Sequence, residues 1–315
     1  PELGIEWGVI NPVLSEKDLT APFLRDSDAN FSIRVLVTGA RGQLGHDVVR
    51  RLEELGIEAI GVDKEDFDLT DEAQTKEALR RIKPDVVVHC GAYTAVDQAE
   101  EDKEACHRVN VDGTRNVAEA CRNVDAKLVY ISTDYVFSGQ GGEPRTVDSA
   151  TEPINFYGYS KALGEALVRD ILEKHFIVRT SWVYGVNGNN FVKTMLRMAQ
   201  TGKELSVVND QIGAPTYTVD LAALICDMLQ TTRYGTYHGV NEGWCSWYDF
   251  AVAVFEKAGI NPKVKPVSTA EYPTRARRPL NSRLSTETLE INGFRKLPPW
   301  QDALDRFFKE YQERL

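Results

Sequence analysis

In the stretch "NFYGYSKALGE", residues 155 to 165, two tyrosines stand close ahead of a lysine. The stretch reads as the opening of a helix, on which residues four apart share a face and residues two apart diverge. Tyr157 and Lys161 can therefore cooperate, whereas Tyr159 cannot. An isolated phenol ionises near pH about 10, and a close ammonium favours the phenolate, so the pair can exchange a proton near neutrality. The plain alternative is a surface helix with a packed tyrosine and a solvated lysine. The elements around the pair have to decide between the two.

A second spacing with chemical meaning lies in "VLVTGARGQLG", which ends a strand, opens a helix and sets Gly39, Gly42 and Gly45 in a GxxGxxG pattern. Glycine there lets the backbone turn sharply and approach a pyrophosphate, while the helix start supplies N–H groups and a favourable dipole. A second strand ends about twenty residues on at Asp63, where a carboxylate meets an adenosine ribose. These features predict a dinucleotide site built from Gly39, Arg41, Gly42, Gln43, Leu44, Gly45 and Asp63. Asp63 suits a free 2′-hydroxyl and Arg41 and Lys64 suit a 2′-phosphate, so use of both NADH and NADPH is expected. Asp68 and Leu69 bracket the adenine, or else Asp68 caps the following helix.

The elements that position these residues alternate from residue 32 onward: "SIRVLVTGA", a helix to about Leu55, "IEAIGVD", a helix over "DEAQTKEALRRI", then "PDVVVHCGA". A helix across "CHRVNVDGTRNVAEACRN", the strand "AKLVYIST", the Tyr157 helix and "HFIVRTSWVYG" follow. Short β-branched runs between amphipathic helices predict an α/β fold, a Rossmann-type doubly wound parallel sheet covered on both faces. The alternation predicts a dinucleotide-binding domain over 32–183. From 184 to 315 the alternation weakens into Gly, Pro and Asn loops, which predicts a smaller substrate-binding domain, with segments near 215–241 returning to the first. Residues 1–31 stand apart as an extension; Ser15 with Asp18 could cap a helical turn that Pro22 ends.

Composition bounds the partners. The chain has 315 residues, 42% hydrophobic and 27% charged, and a formal net charge of -10. An acidic balance argues against general nucleic-acid binding. No apolar run approaches the ~18 residues of a membrane span. The five cysteines are scattered without CxxC spacing, which argues against disulfides or zinc and fits a reducing cytoplasm. His46, His89, His107, His175 and His238 form no metal-ligand pair by spacing and read as structural. Against the acidic background, "TRARRPLNSR" (274–283) concentrates four arginines, either a solvated loop or a local anion site.

Taken together, the glycine-rich strand end, "CGAYTAVDQAE", "ISTDYVF" and the YxxxK helix resemble the extended short-chain dehydrogenase/reductases. Within them "AYTAVDQAE", "STDYVFSG", "RTSWVYG", "NNFVKTMLRMA" and "VVNDQIGAPTYT" resemble the dTDP-4-dehydrorhamnose reductase family over about residues 32 to 315. That resemblance implies reduction of the C4 ketone of dTDP-6-deoxy-L-lyxo-4-hexulose by NADPH or NADH to dTDP-L-rhamnose. It implies Tyr157 as proton donor, Lys161 as the residue that lowers the tyrosine's pKa and holds the cofactor ribose, and Thr133 as a second hydrogen bond to the ketone. Related dehydratases carry an Asp-Glu pair after this threonine; here Asp134 is followed by Tyr135, which leaves simple reduction.

The resemblance further implies that Cys90, Gly91, Ala92 and Tyr93 line the cofactor, with Thr94 beside the substrate and Asn110 stabilising the sheet edge. Trp182 would contact the sugar or only pack. Asn190, Gln211 and Pro215 would shape the sugar-nucleotide cleft, and Arg278 and Ser282 would meet the diphosphate or thymidine. Some members dimerise through magnesium, for which no ligands can be located here; a homodimer is an open expectation. In the extension, "GIEW" and "PVLSEKDLTAP" resemble the end of a dTDP-4-dehydrorhamnose 3,5-epimerase, which implies fusion or association with that enzyme. Two other readings stay open: reduction of a different nucleotide-linked 4-keto-sugar, and a non-catalytic dinucleotide-binding regulatory subunit.

Overall fold

The computed structural model describes residues 33–314. The epimerase-like strings and the Ser15 cap lie outside the described residues. The first half of the chain runs β1 (Arg34–Thr38), α1 (Gln43–Glu54), β2 (Glu58–Val62), α2 (Glu72–Ile82), β3 (Val86–His89), α3 (Lys103–His107), α4 (Thr114–Val124), β4 (Lys127–Thr133), α5 (Phe156–Ile171) and β5 (His175–Thr180). There follow β6 (Val183–Tyr184), α6 (Phe191–Ala199), β7 (Leu205–Val208), β8 (Ile212–Gly213), β9 (Thr216–Tyr217), α7 (Thr218–Leu229) and β10 (Gly235–His238). The remainder comprises β11 (Asn241–Glu242), β12 (Cys245–Ser246), α8 (Trp247–Lys257), β13 (Val264–Val267), β14 (Asn281–Ser282), α9 (Glu287–Ile291), β15 (Leu297–Pro299) and α10 (Trp300–Glu313).

Six strands form one parallel sheet in the order β10-β5-β4-β3-β1-β2. Side chains alternate across it, so each face needs its own cover. Val35 and Val37 enter a core with α1 and α7, whereas Leu36 enters another with α2, α4 and α5. This is the doubly wound arrangement that the sequence predicts. The chain steps from β1 outward to β2 and then crosses back to β3 on the other side of β1. Such a reversal opens a crevice at the carboxyl ends of the strands, where ligands of these folds bind. A further aromatic core gathers Tyr184, Tyr217, Phe250, Trp300 and Phe307 from later elements.

Two local departures shape the crevice. The expected single helix over 106–123 is interrupted by a π-helical turn at Arg108–Gly113 between α3 and α4. Such turns insert a residue and re-aim its neighbours. Here Asn110 accepts from the Tyr93 N–H at 2.8 Å and donates to the Tyr93 carbonyl at 3.1 Å and to Ser160 Oγ at 2.9 Å. It stitches the loop after β3 to α5. The second departure divides "HFIVRTSWVYG" between β5 and β6 near Trp182, whose φ of 48° lies in the left-handed region that a bulky residue enters only when its surroundings hold it.

Candidate active site

The glycine turn is built by close approach. Gly39 has a φ of 68°, and a Cβ on Gly45 would lie 2.2 Å from the Gly39 carbonyl oxygen. Only glycine lets α1 begin this near the strand end. No side chain caps α1 at Gly42, so its first-turn N–H groups suit a bound anion. Asp63, at the end of β2, accepts from the Arg41 backbone N–H at 2.9 Å. The Arg41 guanidinium turns outward to Glu65 at 3.2 Å and stays 69% exposed. Asp68 accepts from the N–H and hydroxyl of Thr70 at 2.9 and 2.8 Å, and these two donors hold it below the usual carboxylate range. The cap of α2 is Asp71, not Asp68.

From this turn a cleft of about 950 Å³ runs to the end of β4. Its wall holds Gly39, Gly42, Gln43, Leu44, Gly45, Asp63, Lys64, Asp68 and Leu69, then Cys90, Gly91, Ala92 and Thr94 after β3. Thr133, Asp134, Tyr135, Tyr157 and Lys161 share that wall, together with Trp182 and Asn190. Residues spread from position 39 to position 190 are thus brought together along the carboxyl ends of the strands of one sheet.

Six of the expected residues do not line the cleft. Arg41 faces outward, and the Tyr93 backbone is clamped by Asn110. Gln211 is buried and donates to Thr269 Oγ1 at 3.1 Å, and Pro215 is buried too. Arg278 is held by Asp97 through two contacts, Nη1–Oδ1 at 3.1 Å and Nη2–Oδ2 at 2.6 Å, and its pKa rises because those bonds and the Tyr135 hydroxyl outweigh burial. Ser282, in β14, faces Asp134 from behind the wall.

At the β4 end, position follows from one helix start. Asn155 caps α5 by accepting from the Gly158 N–H at 2.7 Å, and its amide donates to the Arg277 carbonyl at 2.8 Å. A Cβ on Gly158 would sit 2.0 Å from the Tyr135 carbonyl oxygen, so the bare glycine lets the first turn of α5 dock onto the turn after β4. Docking sets the Tyr157 ring edge-on to Tyr135, with centroids 5.8 Å apart. It also sets the Tyr157 phenol close enough to the Thr133 hydroxyl for the latter to oppose the rise in the phenol's pKa. Tyr159 points away and is 47% exposed, as the spacing requires.

Electrostatics here are governed by burial. Lys161 is 3% exposed, and desolvation lowers its pKa to about 7 against the opposing charge of Glu165. Its Nζ lies 4.1 Å from the Tyr130 ring centroid. The Tyr157 phenol is raised, first by burial and then by Asp134 and Tyr135. Removal from water and the neighbouring carboxyl thus set the net direction of this phenol's shift. A raised phenol stays protonated, which is the form a proton donor needs. One turn further along α5, Glu165 accepts from Arg179 Nε and Nη2, both at 2.8 Å, and from Ser132 Oγ at 2.6 Å. This buried pair ties α5 to β4 and β5 beneath the cleft.

Other groups on the wall carried little signal in the sequence. Trp247, at the start of α8, stacks on Trp182 with centroids 3.7 Å apart, so Trp182 both packs and lines the cleft. Asn187 donates to the Arg41 and Gly42 carbonyls at 2.8 and 3.2 Å, and Asn190 donates to Gln43 Oε1 at 3.0 Å. The "NGNN" loop thereby closes onto the glycine turn. His89 and His238 are both lowered to about 3 by burial, which keeps the imidazoles neutral. Among the described residues no group of three or more His, Cys, Asp or Glu is placed to hold a metal ion. No described helix is long and apolar enough to cross a membrane.

The family model described as the RmlD substrate binding domain matches residues 33–313. The spore coat polysaccharide biosynthesis protein SpsK of Bacillus subtilis is 42% identical over 277 residues, covering 88% of this chain and 97% of that protein. A dTDP-4-dehydrorhamnose reductase of Escherichia coli K12 is 41% identical over 292 residues, covering 88% of this chain and 98% of the relative. Among solved structures, dTDP-4-dehydrorhamnose reductase from Bacillus anthracis, in complex with NADP, superposes with a TM-score of 0.87 at 46% identity, covering 89% of this chain and 100% of the other. With the match running through the glycine turn, the Thr133 strand end and the Tyr157 helix alike, this chain belongs to the RmlD substrate binding domain family, that of the dTDP-4-dehydrorhamnose reductases.

Proposed function

We propose that the protein reduces the C4 ketone of dTDP-6-deoxy-L-lyxo-4-hexulose with NADPH or NADH, giving dTDP-L-rhamnose. The observation that carries this reading is the meeting of Thr133, Tyr157 and Lys161 on the wall of one cleft whose other end is the uncapped start of α1. The glycine turn, Asp63 and Lys64 fit a dinucleotide, with Asp63 for a ribose hydroxyl and Lys64 for a 2′-phosphate. When bound, the reduced nicotinamide supplies a hydride to C4. Tyr157 gives its phenolic proton to the C4 oxygen, and Thr133 donates a hydrogen bond to the same oxygen. Lys161 holds the ribose and supports the phenolate left behind.

Gln43, Leu44, Asp68, Leu69, Cys90, Gly91 and Ala92 hold the cofactor along the wall. Thr94, Trp182 and Asn190 shape the sugar end, while Gln211, Pro215, Arg278 and Ser282 act from behind it. Asp134 followed by Tyr135 provides no second carboxylate for elimination of water, which favours reduction. The reading extends to a cytoplasmic setting, a homodimer, and association with a 3,5-epimerase through residues 1–31. Support for the last is the sequence resemblance of that segment.

The test is to mix the protein with NADPH, and separately NADH, add freshly generated dTDP-6-deoxy-L-lyxo-4-hexulose and follow loss of reduced-nicotinamide absorbance. Oxidation with formation of dTDP-L-rhamnose is expected, falling by about 10²–10⁴-fold in Tyr157→Phe while cofactor binding persists. Cofactor binding without oxidation by either nucleotide overturns the assignment.

A further inference from the structure

Thr133 has one hydroxyl proton, and it goes to Asp134 Oδ1 at 2.9 Å, while the Tyr135 N–H donates to Thr133 Oγ1 at 3.2 Å and fills one of its lone pairs. A hydroxyl engaged in this way cannot also donate to a ketone oxygen. Donation to the cleft takes that proton away from Asp134, and the contact between the two side chains is kept only if the bond reverses. A protonated Asp134 donates its own O–H to Thr133 Oγ1 and releases the threonine proton for the substrate.

The surroundings of Asp134 favour that reversal. The residue is 4% exposed, and its Oδ2 is buried without a partner in hydrogen-bond geometry, the Ser282 hydroxyl facing the carboxyl without completing a bond to it. An ionised carboxylate with an unsatisfied buried oxygen is costly, whereas a carboxylic acid is not. Burial pushes Asp134 up to about 6, opposed by the hydroxyls of Ser282 and Thr133 and by its own and the Tyr135 N–H groups. The groups that face it are Tyr135 from the same turn, Tyr157 from α5 and Ser282 from β14. The cations nearby are otherwise engaged. Lys161 is itself lowered to about 7 by burial, and Arg278 is bound to Asp97.

We propose that Asp134 is a positioning residue for the reduction, its protonated form turning the Thr133 hydroxyl toward the C4 oxygen. The inference rests on the ketone reduction proposed above. Tyr157 still supplies the proton that is transferred, so hydride plus phenolic proton convert the ketone to the alcohol and Asp134 ends the step with its own proton in place.

Two measurements separate this inference from the reaction itself. In the first, kcat of the wild type is followed against pH: it should fall by about tenfold per pH unit above the Asp134 midpoint. Asp134→Asn, whose amide N–H can donate to Thr133 at any pH, should flatten that limb. An unchanged limb in Asp134→Asn overturns the proposal. In the second, carboxyl 13C resonances are titrated with Asp134→Asn supplying the assignment. A midpoint near 6 is expected, moving upward in Thr133→Val, which removes a hydroxyl that steadies the carboxylate. An ordinary midpoint near ~3.9, or no movement in Thr133→Val, also overturns it. Absence of wild-type turnover defeats the assigned reaction alone, because the titration needs no substrate.

Discussion

Lys161 combines the catalytic position proposed for it with a cost to the fold. Its folded pKa of about 7 lies below the ordinary lysine value of 10.5, and burial is the first cause. Between those two values the unfolded chain binds the proton that the folded chain lacks, so stability rises with pH across that window. The cost is complete below pH about 7 and vanishes above about 10.5. Lys161→Met keeps the apolar stem and removes the charge. It should stabilise the protein by on the order of 2 kcal/mol at neutral pH, with the advantage shrinking as pH rises toward 10, while turnover is lost. Urea unfolding of both proteins at pH 7 and pH 10 checks this; an equal gain at both pH values would contradict the burial argument.

At the scale of elements, the activity depends on how closely α5 docks on the turn after β4. Gly158→Ala would put a methyl group 2.0 Å from the Tyr135 carbonyl oxygen, which cannot be accommodated without moving the helix start. A loss of about 1–3 kcal/mol in urea unfolding is expected. The displaced Tyr157 should also lower kcat by up to about 10²-fold with a smaller effect on cofactor affinity. Unchanged kcat with reduced stability would show that α5 relaxes without moving its tyrosine. Much of this level was legible beforehand, because hydrophobic period separates strands from helices and a YxxxK pair must share a helix face. The π turn at Arg108–Gly113 was not, since its apolar residues continue the helical spacing on either side. Trp247 was not legible either: its place on the cleft wall arises from stacking with Trp182, a contact between residues far apart in the chain. The partner of the arginine cluster was hidden for a related reason: Asp97, from the loop after β3, holds the Arg278 guanidinium across a long stretch of chain.

Across the whole molecule, the last helix is tied to the helix that begins at the glycine turn. Glu310 of α10 accepts from Arg50 of α1 and from the Tyr217 hydroxyl of β9, and Arg314 joins it at 2.7 Å. Arg50 also contacts the buried Asp47 at 3.2 Å, and Asp47 accepts from Thr218 at the start of α7. A single carboxylate near the C-terminal end thus helps to set α1, and with it the dinucleotide end of the cleft. Burial raises the pKa of Glu310, yet the Tyr217 and Arg50 hydrogen bonds outweigh it, and the net shift is downward from 4.5. A depressed folded pKa contributes stability that is present above the unfolded value and lost as pH falls through the folded one. Glu310→Gln keeps the shape but weakens both donors' bonds. It should cost about 1–2 kcal/mol at pH 7, and the gap to the wild type should close as pH drops below about 4.5, where the wild-type carboxylate takes up its proton. Chemical unfolding of the pair from pH 7 down to the acid limit gives the answer: a gap that persists undiminished in acid would mean that geometry, not the charge on Glu310, holds α10 against α1.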